Sequence, residues 1–277
     1  MPEVRTRFGR VVYEERGDGP PVVLLHAALH DHTDFAAISG ELARRYRTIA
    51  LDWPGHGASD PAPEEVSAPL FAEVLADFVA ELALPPAVFL GNSVGGYAAA
   101  RLALDHPERT SGLVLVNSGG FTRHTPATRA FCRLLGIPVI NRRVMPKLVS
   151  AYMKPRSDFD RAVTARVAAR ARTREGARLD AGLWSSFATP AHDLRDRAAL
   201  IAAPVLLVWG DRDIVLPAKA GLDTHAALPA SHLITLPTGH APFASDPKGF
   251  LAAVEPFLAH ASGLRTPPRR DTAPDSV

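Results

Sequence analysis

Short apolar runs alternate with amphipathic segments along most of this chain. Apolar runs bounded by turn residues are typical of strands that are buried on both faces of a parallel sheet. Such strands are predicted at residues 7–16 (one strand or a hairpin), 21–26, 48–52, 87–90, 112–116, 204–209 and 232–236. Helical periodicity predicts helices at residues 34–45, 97–105, 218–228 and 248–260, and one more ahead of residue 87. This order predicts an α/β fold with a mainly parallel sheet and helices on both faces.

The alternation stops between the predicted strands at 112–116 and 204–209. Residues 125–189 have helical periodicity and no convincing strand pattern. We therefore expect an α/β core made of residues 1–120 and 198–261. Residues 121–197, here called the insert, are expected to form a helical cap over that core. Residues 262–277 combine prolines with charged residues, which predicts a disordered tail.

Composition narrows the class of protein. Hydrophobic residues make up 47% of the chain and charged residues 22%, as in water-soluble globular proteins. No apolar run approaches the roughly 20 residues that cross a bilayer, and residues 1–16 lack the apolar segment of a secretory signal. The single cysteine, Cys132, cannot form an internal disulfide. We expect a cytoplasmic protein without a membrane span.

Charge is distributed unevenly. The whole chain has a formal charge of +2, but the insert contains sixteen Lys or Arg and six Asp or Glu. The insert therefore carries +10 and the remainder −8. A basic insert would attract an anionic group of a small-molecule substrate. Alternatively its arginines only cover a solvated helix face. We favour this second interpretation, because the aliphatic stems of arginine side chains often cover helix surface. The basic residues lack interleaved aromatic side chains, so nucleic acid is not an expected partner.

A serine between glycines stands where the strand at 87–90 meets an alanine-rich segment. The run is Gly91-Asn92-Ser93-Val94-Gly95-Gly96, which has the G-x-S-x-G pattern of a nucleophile elbow. So sharp a turn strains the serine backbone, and glycines on either side let strand and helix pack closely. The hydroxyl then stands exposed beside the free N–H groups of the following helix. The pattern predicts Ser93 as a nucleophile.

A serine nucleophile needs a nearby base and a third group that orients the base. In parallel sheets, reactive groups gather at the carboxyl ends of the strands. Asp211 and Asp213 follow the predicted strand at 204–209, and both are candidates for the orienting acid. His240 follows the strand at 232–236 and is the candidate base. Serine, acid and histidine thus occur in the chain order of the α/β-hydrolase motif.

With these motifs in place, residues 12–259 resemble the α/β-hydrolase superfamily. The matching motifs are His26-Ala27-Ala28, Asp52-Trp53-Pro54-Gly55-His56-Gly57-Ala58-Ser59, the elbow, Trp209-Gly210-Asp211-Arg212-Asp213 and Gly239-His240. The resemblance implies an α/β-hydrolase fold, with a mainly parallel eight-stranded sheet and an inserted helical cap. It also implies a catalytic triad that works without a cofactor.

The resemblance assigns roles to single residues. In the family the acid lies three residues after the glycine of this motif, which is Gly210 here. This spacing selects Asp213 over Asp211. Some relatives carry the acid after the sixth strand, where this chain has Asn117 and Ser118. An oxyanion hole is implied from the backbone N–H groups of Ala28 and Val94. The loop that contains Ala28 departs from the family pattern, because most relatives have His-Gly where this chain has His26-Ala27.

Other candidate residues have simpler interpretations. The run His30-Asp31-His32 could suggest metal ligands, but no second cluster supplies the three or four that a site needs, so we expect no metal. His56 belongs to a turn motif in relatives and is expected to be structural. Cys132 is expected in a core. Trp184 either faces the pocket or anchors the insert.

Serine at the nucleophile position favours covalent acyl transfer. We expect a serine hydrolase that cleaves a small carboxylic ester or a related acyl compound. Relatives that cleave alkyl halides or epoxides have aspartate at the elbow, so Ser93 disfavours those reactions.

Three alternatives remain open at this point. Carbon–carbon bond hydrolysis of a vinylogous diketone acid is one, because the elbow resembles that of those hydrolases and a basic insert suits their carboxylate substrates. Against it, many of them have tryptophan where this chain has Ala241. Cofactor-free haloperoxidase or perhydrolase activity uses the same triad, and some superfamily members are non-catalytic ligand receptors. The sequence leaves the substrate and the oligomeric state open.

Overall fold

The computed structural model describes residues 1–123 and 125–264. Its eight strands form one sheet in the spatial order β1-β2-β4-β3-β5-β6-β7-β8. They are β1 (Glu3–Thr6), β2 (Gly9–Arg16), β3 (Pro21–Leu25), β4 (Arg47–Leu51), β5 (Ala87–Asn92), β6 (Thr110–Val116), β7 (Val205–Gly210) and β8 (His232–Leu236). β2 pairs antiparallel with β1 and β4, and all other pairings are parallel. The predicted mainly parallel sheet is confirmed.

Helices cover the sheet and fill the long connection between β6 and β7. In chain order they are α1 (Ala36–Leu42), α2 (Ala68–Glu81), α3 (Val94–Asp105), α4 (Pro126–Leu135), α5 (Pro138–Met153), α6 (Asp158–Ala171), α7 (Arg174–Phe187), α8 (Ala218–Ala227), α9 (Pro242–Ser245) and α10 (Pro247–Ala261). Short 3-10 helices lie at His32–Phe35, Pro107–Arg109, Pro190–His192 and Arg195–Leu200.

The central strands were predictable because both of their faces are buried. Every residue of β5 and β7 is buried, and so are the last four of β3. Alternate residues of one strand join different apolar clusters: Val23 packs with α2 and α3, whereas Val22 packs with α1 and α10. The sheet is therefore the middle layer of three, as a parallel sheet requires.

Two predicted elements differ from the structure in more than their end residues. Residues 7–16 form only part of a hairpin, because the chain already pairs from Glu3 in β1. The helix predicted at 34–45 is a 3-10 turn followed by the short α1. Asp31 causes the early start, because its side chain accepts a hydrogen bond from the backbone N–H of Thr33 and caps the 3-10 turn.

The helices α4 to α7 of the insert pack on one another, and residues 125–189 contain no strand. Arginines attach them to loops of the sheet: Arg166 pairs with Asp31 and Asp34, and Arg170 donates to the carbonyl oxygen of Gly55. That the insert is a domain of its own stays a prediction.

The predicted tail lies mostly outside the described residues, which end at residue 264 after α10. Within the described ranges, no helix has the length and apolar character to cross a membrane.

Candidate active site

Ser93 occupies the turn between β5 and α3. Its backbone has φ +55° and ψ −116°, a conformation that costs a residue with a side chain on the order of 1–3 kcal/mol. Two backbone hydrogen bonds hold the turn: Ser93 N–H donates to Val116 O at 3.0 Å, and Gly119 N–H donates to Ser93 O at 3.2 Å. The half-buried serine lies at the wall of a cavity.

The glycines around Ser93 meet the steric requirement that the motif predicts. A β-carbon at Gly91 would collide with the backbone of Gly95, and one at Gly95 would collide with the carbonyl oxygen of Leu25. The elbow can therefore pack against β3 only because these positions lack side chains.

His240 lies between β8 and α9 and is 5% exposed. Its Nδ1 is 2.5 Å from Oδ2 of Asp213. Asn92 Nδ2 donates to the carbonyl oxygen of His240 at 2.9 Å, and His240 N–H donates to Tyr152 O at 3.1 Å. A carboxylate beside Nδ1 favours the tautomer that carries its proton on Nδ1, and in that tautomer Nε2 can accept a proton. His240 and Ser93 line the same cavity.

Asp213 follows β7 and is 2% exposed, whereas Asp211 is exposed on the same loop. The other oxygen of Asp213, Oδ1, accepts hydrogen bonds from the N–H groups of Val215 at 2.8 Å and Leu216 at 3.1 Å. The structure therefore brings Asp213, and not Asp211, to His240.

Asn117 is a site residue that the sequence did not reveal. Its Nδ2 donates to Oδ2 of Asp213 at 2.9 Å, and its Oδ1 accepts from Gly210 N–H at 2.8 Å. It stands directly after β6 with φ +37°. The signal that could have found it is its position, because it stands where some relatives carry the acid.

The loop after β3 brings Ala28 to the cavity, where it lies with Val94 and Ser93. Two buried histidines fix this loop. His26 Nε2 accepts from Trp53 N–H at 3.2 Å. His56 Nε2 accepts from Leu29 N–H at 3.1 Å.

These two imidazoles act as neutral acceptors. Burial lowers the pKa of His26 to about 4 and lowers that of His56 as well. Burial opposes a positive charge, so both rings are neutral near pH 7. His56 is thus part of the scaffold of the loop.

The cavity measures about 830 Å³ including its open mouth. Apolar side chains from both the insert and the core line most of it: Phe131, Met145, Trp184, Phe187, Val215 and Leu216. Asp180 on α7 is the carboxylate among the described lining residues, and no arginine or lysine of the described chain lines this space. The arginines of the insert therefore place no positive charge in the described cavity wall.

Two insert residues whose position relative to the cavity the sequence did not establish, Cys132 and Trp184, both line it. Trp184 lines it and also makes edge contacts with the rings of Phe131 and Phe187, so it both faces the pocket and anchors its surroundings. Cys132 is 5% exposed, and it lines the same space. Burial raises the pKa of its thiol to about 11.

The run His30-Asp31-His32 does not converge. His30 Nδ1 hydrogen-bonds Asp34, and His32 Nδ1 lies 3.0 Å from Asp52 Oδ1. Within the described ranges no three His, Cys, Asp or Glu side chains are grouped as metal ligands.

A strained serine elbow and a histidine–aspartate pair at the carboxyl edge of this sheet define the class of α/β hydrolases. The family model for the alpha/beta hydrolase fold matches residues 20–247, so the chain belongs to this family. It is a hydrolase.

Relatives with a named activity match nearly the whole chain. One is a pimeloyl-[acyl-carrier protein] methyl ester esterase of Aeromonas hydrophila, 31% identical over 90% of this chain and 99% of its own length. Another is a 2-hydroxy-6-oxononadienedioate/2-hydroxy-6-oxononatrienedioate hydrolase of Klebsiella pneumoniae, 32% identical over 91% and 92%. A thermophilic esterase of Thermogutta terrifontis has the same fold, with a TM-score of 0.81 and 22% identity over 95% of this chain and 100% of its own.

Proposed function

We propose that this protein is a serine esterase that hydrolyses small carboxylic esters through an acyl-enzyme. The observation that carries the proposal is that His240, which is hydrogen-bonded to Asp213, lines one cavity with the strained elbow serine, Ser93. A named esterase among the relatives, at 31% identity, supports the same reaction class.

In the first half-reaction, Oγ of Ser93 attacks the carbonyl carbon of the ester while Nε2 of His240 takes the hydroxyl proton. Asp213 stabilises the resulting imidazolium through Nδ1. The tetrahedral intermediate then breaks its bond to the alcohol oxygen, and His240 returns the proton to the leaving alcohol. Ser93 is left acylated.

The backbone N–H groups of Ala28 and Val94 are proposed as the oxyanion hole. Each donor contributes on the order of 3 kcal/mol when it meets the negative oxygen of the intermediate. Water activated by His240 then attacks the acyl-enzyme and releases the acid. No cofactor takes part in this scheme.

We further propose that the insert is a cap that encloses the substrate. Phe131, Met145, Trp184 and Phe187 of the insert form an apolar roof over the cavity that Ser93 lines. An apolar roof favours an acyl or alcohol chain with a hydrocarbon part.

Carbon–carbon bond hydrolysis is the weaker candidate. The Klebsiella pneumoniae relative is named for a dioate, which is a dicarboxylate. A cavity for such a substrate needs a cation in its wall, and the described wall carries a carboxylate, Asp180, instead.

Active-site labelling tests the proposal directly. A fluorophosphonate should label the wild-type protein, and the Ser93→Ala variant should not be labelled. Ser118→Ala is the matched control, because this neighbouring hydroxyl donates to Gly119 O at 2.9 Å, and it should label like wild type. The same pair of variants is assayed for hydrolysis of p-nitrophenyl butyrate, where loss of the nucleophile should lower kcat by about 10⁴-fold or more.

Equal labelling of wild type and Ser93→Ala would reject Ser93 as the nucleophile. Labelling without turnover of any ester in a panel of esters, lactones and thioesters would keep the nucleophile and reject the esterase.

A further inference from the structure

The cavity contains one polar group that ester hydrolysis does not use. Asp180 lies on α7, is 1% exposed and lines the cavity together with Ser93 and His240. It faces this space among aromatic and aliphatic side chains. A carboxyl group at such a place either has only a structural role or meets part of the substrate.

The partners of Asp180 are neutral. Asn141 Nδ2 donates to its Oδ2 at 2.7 Å, and the side chain of Trp184 also hydrogen-bonds the carboxyl group. No ion pair joins Asp180 to a basic side chain within residues 1–123 and 125–264. Burial raises the pKa of the Asp180 carboxyl to about 7, and the two hydrogen bonds oppose this rise.

A buried carboxylate without a countercharge is costly, and buried charges in proteins are paired. The hydrogen-bond partners of Asp180, Asn141 and Trp184, carry no positive charge. The rings of Phe131, Trp184 and Phe187 lie in the same wall. Aromatic faces attract cations by their quadrupole, so the ring faces and the carboxylate favour the same kind of ligand group.

We propose that Asp180 forms a subsite for an ammonium group of the substrate. This inference rests on the proposed function and narrows its substrate class to esters that carry a positive charge in the acyl or the alcohol part. Asp180 here determines specificity and takes no part in bond cleavage.

A second buried carboxylate of the insert provides the matched control. Asp160 on α6 is 0% exposed and accepts a hydrogen bond from Arg156 N–H at 3.0 Å. Burial raises its pKa too, but it is not among the residues of the cavity wall. Asp160→Asn therefore reports on losing a buried charge in the insert without touching the subsite.

The experiment compares substrates of equal shape that differ in charge. In the alcohol part, butyrylcholine is compared with 3,3-dimethylbutyl butyrate. In the acyl part, ethyl 3-aminobutyrate is compared with ethyl 3-methylbutyrate, and ethyl 3-hydroxybutyrate serves as the uncharged polar member. Acid release is followed by titration at pH 7.5 for wild type, Asp180→Asn and Asp160→Asn.

We expect wild type to prefer the cationic member of at least one pair by tenfold or more in kcat/KM. Asp180→Asn keeps the shape and the acceptor for Asn141 but loses the charge, so the preference should fall to within twofold of unity. Asp160→Asn should retain the wild-type preference. Asp160→Asn should also change the rates on the neutral esters little, because Asp160 does not line the cavity.

Calorimetry measures the subsite without turnover. Both cationic esters are titrated into Ser93→Ala and into Ser93→Ala/Asp180→Asn, and we expect at least one ester to bind at least tenfold more weakly to the double variant. The subsite is rejected if both cationic esters bind equally well to the single and the double variant. It is also rejected if Asp180→Asn keeps the wild-type preference for the cationic esters in kcat/KM, or if wild type prefers only the hydroxyl ester over its neutral counterpart. Asp180-dependent binding with no hydrolysis of any ester would instead reject the esterase and keep the subsite.

Discussion

At the scale of single residues, the described contacts make Asn117 the side chain that positions the acid. It is fully buried, and it connects Asp213 to the backbone of Gly210. In the proposed mechanism Asp213 needs this support, because it must keep one oxygen on Nδ1 of His240 while the imidazole gains and loses a proton. Hydrogen bonds to charged groups contribute about 1.5–3 kcal/mol.

Asn117→Ala should therefore lower kcat for p-nitrophenyl butyrate by about tenfold or more, since tenfold corresponds to about 1.4 kcal/mol. KM should change little, because Asn117 does not line the cavity. Steady-state kinetics on the variant, with its urea unfolding curve as a folding check, measure both. Ser118→Ala is the control, and a rise in KM with unchanged kcat would contradict the positioning role.

At this scale, candidate residues that directly follow a strand could be predicted from the sequence, whereas residues that act through tertiary contacts could not. Ser93, Asp213 and His240 follow apolar runs, so their common edge follows from the parallel sheet alone. Asp180 lies on a helix whose orientation above the sheet is set by packing. Nothing local in its sequence distinguishes it from Asp160, although only Asp180 lines the cavity.

At the scale of elements, the loop after β3 is held in place from the end of β4. His32 N–H donates to Asp52 Oδ1 at 2.9 Å, and its ring lies 3.0 Å from the same carboxylate. The side-chain hydrogen bond with Asp52 raises the pKa of His32. Burial alone would raise the pKa of Asp52, but the hydrogen bonds from His32 lower it to about 2.

This pair makes stability depend on pH. Because the folded pKa of His32 lies above its unfolded value of about 6.5, its contribution is fully present below that pH. The contribution is lost as pH rises through the folded pKa. In urea unfolding, His32→Gln should therefore be more destabilising at pH 6 than at pH 9. His106→Gln, at an exposed histidine, is the control, and an equal loss at both pH values would contradict the prediction.

Strands were predicted within two residues where burial is complete. β5 and β7 lie where the apolar runs place them, because a strand buried on both faces needs apolar residues throughout. β8 also lies at its predicted position, although none of its residues is buried. The helix at 34–45 was predicted too long, since periodicity does not distinguish a 3-10 turn capped by Asp31 from the first turn of an α-helix.

At the scale of the whole molecule, the positive charge of the insert lies away from the cavity. Arg166, Arg170 and Arg178 bind carboxylates or carbonyl oxygens of core loops. Arg142, Arg143, Arg172 and Arg174 surround a separate surface depression beside Val139. Some of these arginines thus attach the insert to the core. The composition of the insert could not distinguish this role from electrostatic steering of an anionic substrate.

Anionic esters should consequently gain nothing from the basic insert. We expect kcat/KM for monoethyl succinate to be below that for ethyl butyrate, with a ratio that changes less than twofold between 20 and 300 mM NaCl. Initial rates for wild type and Arg143→Glu measure this ratio. A preference for the anionic ester at low salt that disappears in Arg143→Glu would restore the steering interpretation.

Local patterns along the chain are enough to predict the sheet, the elbow and the order of serine, acid and histidine. These depend on local spacing: apolar runs make buried strands, and glycines around Ser93 permit a turn that no other residues allow. Which side chains meet depends instead on tertiary packing. Asn117 reaches Asp213 from the neighbouring strand end, and Asp180 enters the cavity from a helix far along the chain. Such contacts depend on how whole elements pack, and a linear pattern does not encode that packing.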